Sequence, residues 1–294
     1  MQKIIDKAAV LIEALPYIQK FRDQIVVIKF GGSAMEDKDL LKKTMKDIVF
    51  MECVGMKPVV VHGGGKAISA KLNELEIPTK FINGLRYTCD KTIKVVDDVL
   101  HNNVNSDLVK AVEEAGGKSV PLSGKAFLKA EKITTKCDET GKELDLGFVG
   151  KVVDVNIEQI MKALENNLLP IIPPLALDEA GQVFNINADI AACQIAKALQ
   201  ARKLLFLSDV PGILRDKDDE SSVISTITVD EVDNLISRGI ISGGMAPKIK
   251  SAEDALRSGT NKVHIIDGRI KHSLMLEIFT DSGIGTEIIK KRVK

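Results

Sequence analysis

The chain has 294 residues, of which 45% are hydrophobic and 28% charged, and its 41 basic side chains balance 41 acidic ones. A neutral chain lacks the positive field that draws proteins to nucleic acid or to anionic membranes, and this apolar content excludes a disordered or fibrous protein. Its apolar runs are shorter than the roughly 20 residues that cross a bilayer, so we expect no membrane span.

The N-terminal segment and the cysteines bear on the compartment. The first 21 residues carry acidic side chains inside their apolar pattern and no small-residue cleavage site, which does not fit a secretory signal. Cys53, Cys89, Cys137 and Cys193 are widely scattered and form no Cys-x-x-Cys pair. We therefore expect a cytoplasmic protein with reduced thiols and no metal site built from its own side chains.

The N-terminal part of the chain repeats one order of elements. Apolar residues recur at helical spacing over 3–22, which predicts an amphipathic helix that Pro16 should bend. A β-branched run over 24–30 then ends at a glycine pair, and a helix (38–53), a strand (58–62), three glycines and a helix (66–75) follow. Strand, glycine turn and helix in succession predict an α/β fold with an open, mainly parallel sheet between helices.

The middle of the chain differs, and the C-terminal part returns to the first pattern. Short runs over 120–123, 128–133 and 149–155, separated by polar connections, predict an antiparallel flap beside the main sheet. Strands over 169–172, 203–208 and 263–267 then alternate with helices over 188–199 and 246–257. We predict an N-terminal helix (1–22), an N-terminal lobe (23–173) and a C-terminal lobe (174–294), with the boundary near Pro173 and Pro174.

Glycine turns stand where strands pass into helices. Gly31 and Gly32 follow one predicted strand, Gly63 to Gly65 follow the next, and Gly243 and Gly244 precede a helix. Glycines there let backbone amides approach an anion, and the helix that follows adds partial positive charge. Neither the P-loop nor the Rossmann fingerprint is present, so a P-loop NTPase and a nicotinamide dehydrogenase are disfavoured.

Three charged residues lie in unusual places. Lys29 interrupts an apolar strand two residues before the glycines, and Lys248 lies in the first turn of a helix, where the helix dipole opposes a cation. Either lysine would suit a polyanion, although Lys29 could equally pair with a carboxylate in the core. Asp189 follows Asn187 at the start of an apolar helix, and by itself this pattern predicts no more than a capped helix. His62 precedes the glycine triplet without an acidic partner in the sequence, so we assign it backbone positioning and no proton transfer.

Taken together, six motifs resemble the amino acid kinase family, and within it the branch that acts on N-acetylglutamate. The resemblance extends from about Ile25 to Ile289. The motifs are Lys-Phe-Gly-Gly-Ser (29–33), His-Gly-Gly-Gly (62–65), Asn-Gly-Leu-Arg (83–86), Asn-Ile-Asn-Ala-Asp (185–189), Leu-Ser-Asp-Val-Pro-Gly (207–212) and Gly-Gly-Met-Ala-Pro-Lys (243–248).

The resemblance implies an amino acid kinase fold and the ATP-dependent phosphorylation of the γ-carboxylate of N-acetyl-L-glutamate in arginine biosynthesis. Lys29 and Lys248 would stabilise the transferring phosphoryl group, and Asp189 would organise both lysines. Mg²⁺ would arrive with ATP and be held mainly by its phosphates. The remaining implied roles are acetylglutamate binding by Gly64, Gly65, Arg86 and Asn185, and phosphate or nucleotide binding by Gly31, Gly32, Ser208, Asp209, Gly243 and Gly244.

Residues 272–286 resemble the arginine-binding region of the feedback-inhibited members of the family. His272, Glu277 and Gly283 would bind arginine, and those members share the kinked N-terminal helix. The resemblance therefore implies a hexamer, a trimer of dimers joined through N-terminal helices, with L-arginine as allosteric inhibitor. The alternative is a helix that packs on its own subunit.

Two other functions stay open. A kinase of the same family could act on acetylaminoadipate, glutamate, aspartate, carbamate or UMP, since one methylene in the substrate changes binding by only about 1–3 kcal/mol. A non-catalytic sensor of arginine or nucleotide would be expected to lack a charged catalytic residue, but Lys29, Asp189 and Lys248 are all present.

Overall fold

A mainly parallel eight-stranded sheet forms the centre of the protein in a computed structural model, which describes residues 1–136, 143–281 and 283–291. The strands are β1 (Ile25–Phe30), β2 (Lys57–His62), β3 (Phe81–Ile82), β4 (Leu85–Arg86), β5 (Ser119–Pro121), β6 (Leu128–Lys136), β7 (Glu143–Val155), β8 (Leu169–Ile172), β9 (Leu175–Leu177), β10 (Val183–Ile186), β11 (Lys203–Ser208), β12 (Thr226–Thr228), β13 (Lys262–Asp267) and β14 (Thr286–Ile289). The helices are α1 (Gln2–Phe21), α2 (Lys38–Cys53), α3 (Gly65–Glu74), α4 (Asp90–Asp98), α5 (Ser106–Glu114), α6 (Glu158–Glu165), α7 (Ala188–Ala198), α8 (Val232–Ser237), α9 (Met245–Arg257) and α10 (Ser273–Ile278).

The strand order places β1 at the middle of the sheet. The order is β12-β14-β13-β11-β1-β2-β8-β5, so strands that follow residue 200 lie on one side of β1 and strands that precede residue 173 lie on the other. The two halves meet where β1 pairs with β11. In sheets of this kind ligands bind beyond the carboxyl ends of the strands, at the point where the strand order changes direction.

Helices cover both faces of the sheet, which explains the uninterrupted apolar strands. Alternate residues of β1 enter two different cores: Val27 packs in the core that contains residues of α7 and α9, whereas Val26 and Ile28 pack in the core that contains residues of α2 and α5. Each of these three side chains is fully buried. The predicted open, mainly parallel sheet between helices is thus confirmed.

One predicted strand belongs to a different sheet than expected. The pairing of β6 with β7 confirms the antiparallel flap, but β5 does not join it. Instead β5 pairs in parallel with β8 at the edge of the main sheet. The prediction that the strand near 120–123 belongs to the flap is therefore wrong, because three residues between polar connections do not specify which neighbour they pair with.

The flap is part of a four-stranded barrel, β10-β7-β6-β9. Strands β9 and β10 follow Pro174, yet they pair with β6 and β7, which precede it. The boundary near Pro173 and Pro174 stays a prediction. Cys137 lies outside the described residues, and Cys53, Cys89 and Cys193 are free thiols.

A π-helical stretch joins α4 to α5. It spans Val99–Asn105 and carries the buried side chains Leu100, Val104 and Asn105. Wide turns of this kind are rare and frequently occur at functional sites. Within the described residues, no helix is both long and apolar enough to span a membrane.

Candidate active site

Two lysines from different halves of the chain meet one carboxylate. Lys29 lies near the end of β1, Asp189 in the first turn of α7 and Lys248 in the first turn of α9. The Nζ atom of Lys29 lies 3.0 Å from Oδ1 of Asp189, and the Nζ atom of Lys248 lies 3.5 Å from Oδ2. Asn187 caps α7 by accepting the backbone N–H of Asp189, which fixes the direction in which this turn leaves the sheet.

The electrostatics of this cluster favour an anionic ligand. Burial raises the pKa of Asp189, but the two ammonium groups more than offset this, so its pKa lies below the ordinary value. Burial has the opposite effect on Lys248: it lowers the pKa of this lysine, and the Asp189 carboxylate opposes that shift. One carboxylate faces two lysines here, so the cluster keeps an excess of positive charge.

The first glycine turn lies directly against the cluster. A Cβ atom at Gly31 would lie 3.0 Å from the Nζ atom of Lys29, so only glycine leaves this ammonium group in place. Gly32 has a φ of 73°, in the region that favours glycine, and a Cβ atom there would collide with the carboxylate of Asp209. The charge of Asp209 also acts on Lys248. Backbone amides and a carboxylate thus surround the same point as the two lysines.

A cavity of about 240 Å³ opens beside the cluster. Its size suits a small polar ligand. It is lined by the predicted substrate residues Gly64, Gly65, Arg86 and Asn185 together with Lys29, Gly31, Gly32 and Asp189. The structure therefore brings the predicted substrate residues and two of the three predicted catalytic residues into one cavity.

Arg86 is held with one end of its guanidinium group unpaired. Its Nη2 atom donates to the carbonyl oxygen of Gly65 and to Oγ of Ser69, both at 2.8 Å, and the ring of Phe81 lies 4.7 Å from Cζ. Burial lowers the pKa of Arg86. Its Nη1 atom is buried and has no hydrogen-bond partner among the described residues. A buried unpaired donor in a cavity wall is costly unless a ligand supplies the acceptor.

Four of the six predicted phosphate or nucleotide residues lie outside the 240 Å³ cavity. Ser208 ends β11, and Asp209 follows it at the carboxyl edge of the sheet. Gly243 and Gly244 immediately precede α9, the helix that carries Lys248, and both lie outside the 240 Å³ cavity. This placement leaves the carboxyl ends of β1 and β11 open to a second ligand beside the first.

A second cavity of about 280 Å³ lies between the end of α1 and the C-terminal segment. Glu277 and Gly283 line it, together with Tyr17, Lys20 and Lys203. Its wall carries charges of both signs. Burial lowers the pKa of Lys203 to about 8. Burial raises the pKa of Glu277, but the hydrogen bond and charge of His264, the backbone N–H of Ile284 and the charge of Lys203 together bring it below the ordinary value.

The third predicted arginine residue is placed elsewhere. His272 lies outside the second cavity, and its Nδ1 atom lies 2.6 Å from Oδ1 of the buried Asp47 on α2. His272 has a φ of 60°, so its backbone is left-handed just before α10 begins. This pair ties the start of α10 to α2.

Sequence reasoning missed several contacts at both cavities. His264 interrupts an apolar strand just as Lys29 does, and Lys203 is a buried lysine at the start of one, so a similar signal could have identified them. Phe81 precedes the Asn-Gly-Leu-Arg motif, but its contact with Arg86 depends on the β3–β4 hairpin. The pairing of His62 with Asn105 joins residues 43 positions apart, and the sequence carries no signal for it.

Known proteins resemble this chain over nearly its whole length. An acetylglutamate kinase of Carboxydothermus hydrogenoformans is 50% identical over 290 residues, covering 97% of this chain and 99% of the relative. An acetylglutamate kinase of Akkermansia muciniphila is 48% identical over 292 residues, covering 99% and 98%. Among solved structures, an N-acetylglutamate synthase from Neisseria gonorrhoeae, complexed with coenzyme A and N-acetyl-glutamate, superposes with a TM-score of 0.84 at 27% identity. The match covers 97% of this chain and 64% of the synthase.

The match to a family model agrees with these relatives. The model of the amino acid kinase family matches residues 24–267, which include every glycine turn and charged residue of the cluster described above. With the two-lysine cluster at the meeting point of the sheet halves, the chain belongs to the amino acid kinase family.

Proposed function

We propose that this chain transfers the γ-phosphoryl group of ATP to the γ-carboxylate of N-acetyl-L-glutamate, producing an acyl phosphate and ADP in the cytoplasmic synthesis of arginine. The relatives named acetylglutamate kinase support the substrate, since they are 48–50% identical to this chain over nearly its full length. The observation that carries the proposal is the convergence of Lys29, Asp189 and Lys248 beside a cavity that contains an unpaired arginine donor.

The 240 Å³ cavity provides matching groups for acetylglutamate. The free Nη1 atom of Arg86 would pair with the α-carboxylate, and the amides of Gly64 and Gly65 would face the γ-carboxylate. Asn185 donates from Nδ2 to Oγ of Thr88 at 3.3 Å, which holds its amide at the cavity wall to bind the same ligand. Because Lys29 lines the same cavity, a γ-carboxylate in this pose lies within reach of the lysine cluster.

The chemistry needs positioning and charge more than proton transfer. A carboxylate is already an adequate nucleophile, so no general base has to activate it. The obstacle is the repulsion between ATP and a dicarboxylate, which must approach within bonding distance. Lys29 and Lys248 would stabilise the negative charge on the transferring phosphoryl group, while Asp189 keeps both ammonium groups directed to that point.

ATP would bind at the carboxyl ends of the strands that come from the C-terminal part of the chain. Ser208, Asp209, Gly243 and Gly244 would contact ATP, with the amides of Gly31 and Gly32 on its phosphates. Mg²⁺ would neutralise phosphate charge and would be held mainly by the phosphates and water. Asp209 is the carboxylate placed to add a protein ligand, since it lies against Gly32 where the phosphates would be.

We also propose that L-arginine inhibits the enzyme at the second cavity. Lys20 and Lys203 suit the carboxylate of arginine, and Glu277 and Asp281 suit its two cationic groups. The cavity is closed on one side by α1, where the Tyr17 hydroxyl donates to Asp281 at 2.6 Å. His272 would act only indirectly, through its contact with Asp47. We propose in addition that α1 joins dimers into a hexamer.

A coupled assay of ADP release tests the main proposal. Replacing Lys248 by alanine should lower kcat about 100-fold or more, because one donor to transition-state charge is lost. Lys250→Ala is the matched control, since Lys250 lies on the same helix and pairs at the surface with Asp233 and Glu253. Its rate should stay within about twofold of wild type, because exposed ion pairs contribute little.

The same assay separates the alternatives. The proposed substrate would be wrong if the wild type were inactive on acetylglutamate but active on N-acetyl-L-2-aminoadipate, glutamate, aspartate, carbamate or UMP. A Lys248→Ala enzyme with the wild-type rate would overturn the mechanism. If none of these acceptors supports ADP release, the result would favour a non-catalytic sensor.

A further inference from the structure

His62 is a buried polar residue that the proposed reaction does not use. It ends β2 directly before the glycine triplet, and its side chain is fully buried. Its Nδ1 atom lies 2.8 Å from the carbonyl oxygen of Gly63, and its Nε2 atom lies 3.3 Å from Nδ2 of Asn105 in the π-helical stretch. Both ring nitrogens therefore have a hydrogen-bonding partner inside the protein.

The partners of this imidazole determine where its proton lies. A carbonyl oxygen only accepts, so the Nδ1 atom must carry the hydrogen that points to Gly63. The Nδ2 atom of Asn105 also donates to the carbonyl oxygen of Ile171 at 3.0 Å, which fixes the orientation of this amide. Its other hydrogen then faces Nε2, which must be the unprotonated nitrogen of a neutral ring. Burial keeps the ring neutral, with its pKa lowered to about 4.

The hydrogen bond on Gly63 sets the direction of the next amide. The carbonyl of Gly63 and the N–H of Gly64 belong to one planar trans peptide, so they point in opposite directions. Holding the carbonyl against His62 therefore directs the Gly64 N–H away from the imidazole. The preceding peptide is held as well, because the N–H of Gly63 donates to the carbonyl oxygen of Phe30 at 2.8 Å.

The π-helical stretch supports the same turn from the other side. A Cβ atom at Gly64 would collide with the side chain of Leu100, so the stretch packs directly on the backbone of Gly64. Asn105 belongs to the same stretch, five residues further on. One irregular helical segment thus supplies both the packing against Gly64 and the amide that fixes the proton of His62.

We propose that His62 is a positioning residue: held by Asn105 as the Nδ1-protonated neutral tautomer, it directs the Gly64 amide into the acetylglutamate cavity. This inference rests on the proposed function, because Gly64 binds the γ-carboxylate only if acetylglutamate is the substrate. It assigns the π-helical stretch a role in substrate alignment, and it gives His62 no role in proton transfer.

The first test reads the tautomer directly. In protein labelled with ¹⁵N-histidine, the signal that disappears in His62→Asn belongs to His62. We expect it to show a protonated Nδ1 and an unprotonated Nε2 at neutral pH. In Asn105→Leu we expect a weaker preference for this tautomer, because Nε2 loses its donor while the Gly63 carbonyl still accepts from Nδ1. A wild-type His62 protonated on Nε2, or on both nitrogens, would overturn the proposal whatever the activity.

The second test compares two replacements in steady-state kinetics. Asparagine can still donate to the Gly63 carbonyl from nearly the position of Nδ1, whereas leucine cannot. His62→Leu should lower kcat/KM for acetylglutamate by about tenfold to a hundredfold, because a misdirected donor no longer meets the reacting group. The KM for ATP should stay within about twofold, and His62→Asn should recover most of the loss.

The outcomes separate this inference from the proposed function. Equal losses in the leucine and asparagine variants, or a leucine variant with wild-type kcat/KM, would overturn the positioning role. A wild-type enzyme inactive on acetylglutamate would instead overturn the proposed function, while the NMR result would still report the tautomer. Should His62→Leu fail to fold, Asn105→Leu takes its place in the kinetic comparison, where we expect the same selective loss for acetylglutamate and where wild-type kinetics would count against the role.

Discussion

Asp189 shows how one residue can hold two like charges together. Two ammonium groups near each other repel, and each loses hydration as it is buried, so bringing them together is costly without a counter-ion. A single carboxylate between them removes most of this cost and still leaves one net positive charge. That surplus is what an incoming phosphoryl group would neutralise. The ion pairs of this cluster are therefore arranged for a ligand more than for stability.

His62 makes the stability of the protein depend on pH in a definite direction. Its pKa is lowered from 6.5 to about 4 by burial, so the unfolded chain binds a proton more readily than the folded one between these values. Stability is therefore complete above pH 6.5 and falls as the solution becomes more acidic. By linkage this single group removes about 2 kcal/mol of stability at pH 5.

Urea unfolding at pH 7.5 and at pH 5 measures this effect. The midpoint of the wild type should fall between the two pH values by more than that of His62→Asn, since asparagine does not titrate. His264 is also buried with a lowered pKa, but it contributes equally to both proteins and cancels in the comparison. Identical shifts in the two proteins would contradict the assignment of this pH dependence to His62.

At the scale of elements, α1 has an apolar surface that its own subunit does not cover. Ile4, Leu11 and Ile12 are each 67–68% exposed, and Met1, Ile5, Val10 and Leu15 are exposed as well. Among the side chains that the structure describes, those near the end of the helix anchor it, where Tyr17 packs against the core and Phe21 enters it. An apolar stripe of this length on a helix normally packs against another helix, and a second copy of α1 offers a matching one.

Replacing Leu11 by aspartate should therefore change the oligomeric state. We expect light scattering on a sizing column to give a hexamer for the wild type and a dimer for Leu11→Asp, because a charge in an apolar interface is strongly unfavourable. Gln19→Asp is the control, since it adds the same charge at an exposed polar position of the same helix. A wild type that runs as a dimer, or a Leu11→Asp variant that stays hexameric, would contradict the role of α1.

The elements differ in how far the sequence predicts them. Helices α1, α2, α7 and α9 and strands β1, β2, β8, β11 and β13 begin and end within two residues of their predicted limits, because long periodic patterns and glycine turns are local signals. The pairing of β5 with β8 and the closure of the barrel by β9 and β10 depend on contacts between distant segments. Three or four residues do not encode such contacts locally.

The residues of the candidate site also differ in how far the sequence predicts them. Lys29 and Lys248 were identifiable because a lysine in an apolar strand or in a first helical turn is unfavourable without a counter-charge. Asp189 by itself predicted only a helix cap, and it does follow the capping residue Asn187. Its contact with both lysines, and that of His62 with Asn105, arises only when the sheet brings together chain segments far apart in sequence.

At the scale of the whole molecule, the sheet connects the two cavities. Strand β11 begins at Lys203, in the wall of the second cavity, and ends at Ser208, at the proposed nucleotide site. Six strand residues span about 17 Å, so the second cavity and the proposed nucleotide site lie at opposite ends of one rigid element. The contact between His272 and Asp47 forms a second link, from the start of α10 to α2, which pack in the same core. Arginine can inhibit through such links only if the two ligands favour different arrangements of these elements.

Coupling of this kind is reciprocal, which gives a strict test of arginine inhibition. If arginine bound at the second cavity weakens the equilibrium binding of acetylglutamate, saturating acetylglutamate must weaken arginine binding by the same factor, about 5–150-fold for typical couplings. Titration calorimetry of arginine with and without acetylglutamate measures this factor. Initial rates at increasing arginine concentrations measure the accompanying change in the KM for acetylglutamate. Citrulline is the control ligand, because it keeps the shape of arginine without the charge that Glu277 would bind. Arginine affinity that keeps falling in proportion to the acetylglutamate concentration, without reaching a limiting factor, would place the inhibitor in the active site and not at the end of β11.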